Sequence, residues 1–472
     1  MKILFIENRY ATRVYTHIAN RLEREGNEIH WLIQNPVFSP KSGNIHHLPF
    51  PKNTFKSIPP TSDYSWLAKT DRGIRHFGLN CSHYPHYDRH IQSVIDSTKP
   101  DLIVGEATEF HELLAIKHAK RAGITYLSPN ATRYPADRLA FFTYDSLTPL
   151  GGDRTSLSDA DADLMLDAIR SRAIIPSYMR PAPKPGRLRS PKSLMDKARI
   201  TLGWVRGERF VTPSPLRKIV LTVSQKYSRR LWDRYCNKNI ERWHSLIASK
   251  KPWALYALQM QPEGNIDVWG QPWNNQTDII AKAARSLEAI GANLVVKPNP
   301  KSKYELSREL LRVVREHSNI IALPHSSQMA NVFPHATIVL TVTGTILMES
   351  IFAQKPVASL GTHEMARYPG VRSILQPEDI ANALFDAVEG RHAPASQTEC
   401  RHLLQTLHSS SYPATVWDPI SQSHMATSEN IESLINAFKD VISIHISNNK
   451  APCQSDTQPN PTTPENQTPP TY

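Results

Sequence analysis

Thr343-Gly344-Thr345 sits between an apolar run, TIVLTV, and a helical run, ILMESIF. It joins two hydroxyls to the one residue type that lets a ligand come close to the backbone. A helix starting there presents unpaired N–H groups, so the turn suits a phosphate. Glu349, four residues after Thr345, would face the same cleft and accept from ribose hydroxyls. An N-capping threonine followed by an ordinary helix glutamate is the alternative. Gln259-Met260-Gln261-Pro262-Glu263-Gly264-Asn265 follows the apolar run WALYAL, and its amides and carboxylate can hydrogen-bond a base or a ribose. In Lys297-Pro298-Asn299-Pro300, Lys297 is a point cation held between an apolar run and two prolines, fitted to a phosphate or a sugar carboxylate, a solvated strand-end lysine being the alternative. A fourth loop, Gly361-Thr362-His363-Glu364, carries one histidine that reads as a surface group. Nearer the start, Glu106-Ala107-Thr108-Glu109 offers Glu106 as acid, base or nucleophile. Arg133 and Arg138, in the loop after ITYLSP, can hold an anionic sugar, structural ion pairs being the alternative.

Each group follows a short apolar run, and those runs alternate with amphipathic stretches of helical period. KILFIE, VYTHIANRLEREG, NEIHWLIQN, DLIVGE, HELLAIKHAKRAG and ITYLSP make one such series. WALYALQMQ, TDIIAKAARSLEAIG, ANLVVKPNP, ELSRELLRVVREHS, NIIALP, TIVLTVTG, TILMESIFAQ and KPVASLG make a second. Strand and helix in alternation predict βαβ units and parallel sheets. Such sheets bind ligands beyond the carboxyl ends of their strands, where the groups above stand. The fold expected is α/β, with two Rossmann-like, doubly wound domains facing a cleft. Residues 1–165 would form the N-terminal Rossmann-like domain, 166–250 a basic helical and proline-rich connection, and 251–447 the C-terminal Rossmann-like domain. The segment from residue 448 to 472, nearly without apolar residues, should be a disordered tail.

At 472 residues the chain suits two domains. Its net charge of +12 fits an acidic substrate, an anionic membrane face or nucleic acid, but the sequence has no nucleic-acid reader motif. Cys81, Cys236, Cys400 and Cys453 lie too far apart for a metal knuckle or redox pair. The sequence calls for neither a metal nor another cofactor. No apolar stretch has the length of a signal peptide or a membrane span, which points to the cytoplasm. Between Arg170 and Lys238 stand eighteen lysines and arginines against three acids. The stretch from Arg217 to Arg242, with Leu231, Trp232, Tyr235 and Trp243, reads either as a segment resting on anionic lipid at the inner membrane or as a solvated interdomain helix.

The second-domain motifs, taken in order, resemble the bacterial capsule polysaccharide synthesis and export family, which includes the Kps-type transferases of Kdo. Leu258 to Glu263 is similar to that family's Leu-Gln-x-Gln-Pro-Glu, and Gln276 to a glutamine preceding a helix. Lys297-Pro298-Asn299-Pro300 resembles its Lys-Glu-His-Pro loop, and Thr343 through Glu349 its Thr-Gly-Thr turn with a helix glutamate. The resemblance covers roughly 250 to 370, with a looser likeness over 1 to 150. It implies a GT-B-like arrangement in which Gln261, Glu263, Gln276, Lys297, Asn299, Thr343, Gly344, Thr345 and Glu349 surround a nucleotide-sugar donor, CMP-Kdo in the known transferases. Two positions depart from the family. Asn299 replaces the histidine and cannot carry its proton. Asn130-Ala131-Thr132 replaces an acidic stretch before an arginine, so Glu106 or Asp137 would have to supply the reactive carboxylate. The expected activity is transfer of a sugar to a lipid-linked or growing surface glycan. A nucleotide-sugar epimerase and a non-catalytic synthesis or export factor on the same fold are the rivals.

Overall fold

The computed structural model describes residues 1–51, 62–176, 191–361, 364–417 and 422–450. The proline-rich stretch 177–190, His363 and the tail beyond 450 lie outside the described residues. Among the described residues, twelve strands form two six-stranded sheets. The first contains β1 (Lys2–Ile6), β2 (Glu28–Ile33), β3 (Asn44–His47), β4 (Leu102–Val104), β5 (Thr125–Ala131) and β6 (Leu139–Thr143). The second contains β7 (Trp253–Ala257), β8 (Asn293–Lys297), β9 (Ile320–Ala322), β10 (Ile338–Thr341), β11 (Val357–Ser359) and β12 (Val371–Ser373). The orders are β3-β2-β1-β4-β5-β6 and β12-β11-β10-β7-β8-β9, so both sheets follow the same doubly wound plan. All pairings are parallel except β5 with β6.

The central strands read as continuous apolar runs because helices cover both faces. In β1, Ile3 and Phe5 pack with Val14, Tyr15 and Ile18 of the helix Ala11–Arg24, while Leu4 and Ile6 pack with Ile91 and Leu114 on the other side. In the second sheet, Tyr256, Val296 and Leu340 meet Ile280 and Ala284 of the helix Gln276–Ala289, and Leu255, Val295 and Val339 meet Leu347 and Ile351. Glycines close two early helices as their composition predicts: Gly26 (φ +89°) follows Ala11–Arg24, and Gly123 (φ +66°) follows Phe110–Ala122.

Packing crosses the linear division into 1–165, 166–250 and 251–447 at two places. The helix Asp159–Arg170 buries Ala162, Leu166 and Ile169 in the second domain, beside Leu403 and Leu404. The helix Ser428–Lys450 returns to the first, setting Leu434, Phe438 and Val441 against Ile3 and Phe5. Among its described residues the basic segment carries the helices Pro191–Arg206, Pro215–Lys238 and Ile240–Ser249. Three of its aromatics, Trp232, Tyr235 and Trp243, are turned inward, contrary to a lipid-facing role for them. Trp232 is 1% exposed and donates from Nε1 to the Leu323 carbonyl. Tyr235 donates to the Val314 carbonyl, and Trp243 meets Trp253 edge to face. Among the described residues no helix is long and apolar enough to cross a membrane.

Candidate functional site

In each sheet the strand order reverses between two neighbouring strands, β1 and β4 in the first and β7 and β10 in the second. The loops that leave the carboxyl ends of such a pair cannot cross over one another, and a crevice opens between them. In the first domain those loops bring Glu7-Asn8-Arg9 beside Gly105-Glu106. Gly105 allows the approach: a β-carbon there would stand 2.4 Å from the Tyr126 hydroxyl and 2.9 Å from Ile6 Cβ. Tyr126 instead donates to the Glu106 carbonyl at 2.6 Å and fixes the loop. Asn8 Nδ2 reaches Glu106 Oε2 at 3.2 Å and Glu112 Oε1 at 2.9 Å, bridging the two carboxyls.

Glu112, at the start of the helix Phe110–Ala122, also accepts from the N–H groups of Glu106, Thr108 and Glu109 and from the Thr108 hydroxyl. The Glu106 carboxylate accepts from the Asn8 amide, and loss of water with Glu112 beside it raises its pKa well above the usual carboxylate range. Glu7 is pushed up to about 7, first by burial, although it accepts from the Arg9 and Asn35 N–H groups at 2.6 and 2.8 Å. Arg72 pairs with Glu109 beside this cluster, and burial lowers its guanidinium pKa to about 9.

The facing wall is the second domain. Gln276 holds the loop after β7, accepting from the Gln259 N–H at 2.8 Å and donating to the Gln259 carbonyl at 2.8 Å and to Gln261 Oε1 at 3.0 Å. Gln261 passes the chain of bonds to Asp267 Oδ1 at 2.7 Å. Gln261 and Gln276 are thus buried within a network that shapes the loop, and Glu263 is the member left toward the cleft. Desolvation raises the Glu263 pKa, while Arg133 and Asn265 oppose the shift. Thr343 is fully buried, its hydroxyl lying 2.9 Å from Gln259 Oε1 and 2.7 Å from the Asn265 carbonyl. Gly344 (φ +94°) precedes the helix Thr345–Phe352, and Thr345 is half-buried at its first position. Lys297 is 2% exposed, donates to the Pro298 carbonyl at 2.8 Å, and has its pKa lowered to about 8 by burial, with Arg172 adding to the shift. Asn299 is half-buried beyond it. Glu349 accepts from the Tyr134 hydroxyl at 3.2 Å and pairs with Arg172 at 3.3 Å, and burial raises its pKa.

The lobes touch across the crevice. Arg133 donates to Asn265 Oδ1, Arg75 pairs with Asp267 at 2.7 Å, and His76 stacks on Tyr304 with ring centres 4.8 Å apart. Thr108 Cγ2 would lie 3.1 Å from a β-carbon on Gly264, so the Glu106 loop and the Glu263 loop are in contact. Glu106, Arg133, Glu263, Lys297, Thr345 and Glu349 therefore line or border one interlobe region. Arg138 and Asp137 are placed otherwise. Arg138 is 9% exposed, and its guanidinium is taken up by Asp153, Ser411 and the His408 carbonyl, which ties down the returning chain instead of an acceptor. Asp137 is exposed on a left-handed turn (φ +61°), where its carbonyl accepts from Thr415. The sequence reading passed over Asn8, Glu7, Glu112, Tyr134 and Arg172. Glu7 and Asn8 follow an apolar strand just as Glu106 does, so the strand-end rule applied to KILFI would have found them.

No family model matches this chain, and no curated protein matches it. Among solved structures it is similar to the β-Kdo 2,7-transferase KpsC of Thermosulfurimonas dismutans, with 11% identity over 92% of this chain and 99% of that one, at a TM-score of 0.35. It is also similar to the UDP-GlcNAc 2-epimerase of Methanocaldococcus jannaschii, with 14% identity, 86% and 99% coverage and a TM-score of 0.25. A third likeness is to the calicheamicin glycosyltransferase CalG4, with 13% identity, 94% and 98% coverage and a TM-score of 0.28. At these scores the likenesses carry no argument about what the chain binds, and the two-domain fold rests on its own sheets.

Proposed function

We propose that this protein is a glycosyltransferase that takes a sugar from a nucleotide donor held on the second domain and passes it to an acceptor on the first. One observation carries the reading: Glu106, a carboxyl with a raised pKa at the first domain's switch point, stands on a loop that touches the loop of Glu263 in the second. A carboxylate that binds its proton more tightly is a stronger base, suited to accept a proton from an acceptor hydroxyl. The acceptor oxygen then bonds to the anomeric carbon, the bond to the donor phosphate oxygen breaks, and the nucleotide leaves with the electron pair. Thr345 with its helix start, Lys297 and Arg172 supply positive character for the phosphate, and Glu349 and Glu263 accept from sugar or ribose hydroxyls. The sequence resemblance supports a CMP-linked, Kdo-like acidic sugar, which the Arg133 guanidinium suits, and a capsule or other surface glycan as product.

Thermal stabilisation by CMP, UDP and GDP sugars identifies the donor, since a ligand of the native state raises the melting temperature. Glu106→Gln should keep that stabilisation and lose at least about a hundredfold in transfer, the scale of a general base. Full transfer by the variant would remove Glu106 from the chemistry. The raised carboxyl also favours a second reading, proton abstraction from the sugar itself, as in an epimerase. Consumption of nucleotide sugar without any acceptor selects that reading, and binding without turnover selects a non-catalytic synthesis or export factor.

A further inference from the structure

The helix Pro215–Lys238 has two apolar faces, and the fold covers one. Its last turns bury Trp232 and Cys236 against the second domain's core. Leu216, Ile219, Val220 and Val223 are 76, 62, 55 and 61% exposed, and Tyr227 is 47% exposed. Their spacing of i, i+3, i+4, i+7 and i+11 sets them in one stripe, about half a turn away from Trp232 and Cys236. Followed toward the carboxyl end, the same stripe becomes Arg230, Arg234 and Lys238, all exposed. The helix Pro191–Arg206 adds Met195, Leu202 and Val205, which are 53, 45 and 62% exposed. Away from that face, Gly203 sits so close to Asn35 that a β-carbon would stand 3.0 Å from its Oδ1.

Eight of the fourteen exposed large apolar side chains among the described residues belong to these two helices. Scattered apolar residues on a surface need no account, but a concentrated stripe marks a contact. From Lys197 to Leu231 there are nine lysines and arginines and one acid, Glu208, which is fully buried and accepts from the Phe210 and Val211 N–H groups. That charge chooses the occupant. A second copy of this chain docked about a two-fold axis would set the basic groups against themselves. A nucleic acid would have no use for four aliphatic side chains. Residues 177–190 carry four further basic residues and no acid, so they do not complement the face either.

We infer that this exposed face of the helix Pro215–Lys238 docks on an anionic lipid surface. The aliphatic stripe enters the headgroup layer, and Arg230, Arg234 and Lys238 pair with lipid phosphates. The docking is independent of any nucleotide sugar, so it stands or falls separately from the proposed activity.

Sedimentation of the full chain with phosphatidylglycerol vesicles and with phosphatidylcholine vesicles, at low and high salt, tests this. Wild type should sediment with the anionic vesicles and be released by salt. Ile219→Ser with Val223→Ser should weaken partition by about tenfold or more, from the lost aliphatic burial. Arg230→Ser with Arg234→Ser should weaken it by a similar factor and flatten the salt response. Both pairs lie on the exposed face, and an unchanged melting temperature would verify their folding. Absence of sedimentation with anionic vesicles would overturn the inference. So would binding insensitive to the serine pair at 219 and 223, or a dimer that this pair dissociates in the absence of vesicle binding.

Discussion

Glu7 illustrates how far burial governs the titration of this cleft. Its ordinary pKa of 4.5 rises to about 7, so the folded protein holds the proton more tightly than the unfolded chain. The associated stability is present in full below pH 4.5 and is lost as the pH climbs through 7, amounting to up to about 3 kcal/mol. Glu7→Gln, which stays neutral, should therefore gain on wild type across that window while falling behind on neither side of it by any further pH-dependent amount. Urea unfolding of both proteins at a series of pH values measures the difference. Parallel stability curves would mean that Glu7 titrates alike in both states. Glu106, Glu263 and Glu349 are raised as well, but they are common to both proteins and cancel in the comparison.

At the scale of elements, the turn between β10 and the helix Thr345–Phe352 depends on backbone geometry more than on space. Gly344 has φ +94°, and a β-carbon there would meet Gln259 Cδ at 3.4 Å, an ordinary contact. Gly344→Ala should then cost about 1 to 3 kcal/mol from this extended, positive-φ conformation alone. Chemical denaturation reads that cost directly, and an unchanged midpoint would show that the turn can relax. Gln276 makes the complementary case. Its amide holds the Gln259 N–H and carbonyl and Gln261 Oε1 inside the protein, so Gln276→Ala leaves buried polar groups without partners. The expected loss is about 2 to 4 kcal/mol, with weaker donor binding because the Glu263 loop is no longer fixed. Loss of donor binding at full stability would instead make Gln276 a direct ligand contact.

For the molecule as a whole, the return of the helix Ser428–Lys450 makes the first domain dependent on the chain's other end. Removing that helix uncovers Ile3, Phe5 and Tyr15 where they now meet Leu434, Phe438 and Val441. A chain ending before residue 428 should be poorly soluble and should bind a hydrophobic dye, in proportion to the core surface laid open. A soluble, cooperatively folded truncation would show that the helix is an accessory. The lobes also meet through Arg75 and Asp267, the latter only 3% exposed, so Arg75→Ala would strand a buried carboxylate at the interface.

What the sequence determined by itself was local and periodic. Apolar runs alternating with amphipathic helices specified two doubly wound sheets, because strand and helix periods are written in neighbouring residues. Strand-end position was equally legible, and it placed Glu106, Glu263, Lys297, Thr345 and Glu349 at one interlobe region. Tertiary structure alone decided which polar side chains remain available there. Thr343 carries the right group in the right loop, yet Gln259 and Asn265, 84 and 78 positions away, draw it into the framework. Arg138 is claimed by Ser411 and Asp153, the former 273 positions away. Trp232 turns inward while Ile219 and Val223 turn out, although one helix carries all three. Hydrogen bonds and packing between distant segments depend on where the chain returns, and no window of sequence contains that information.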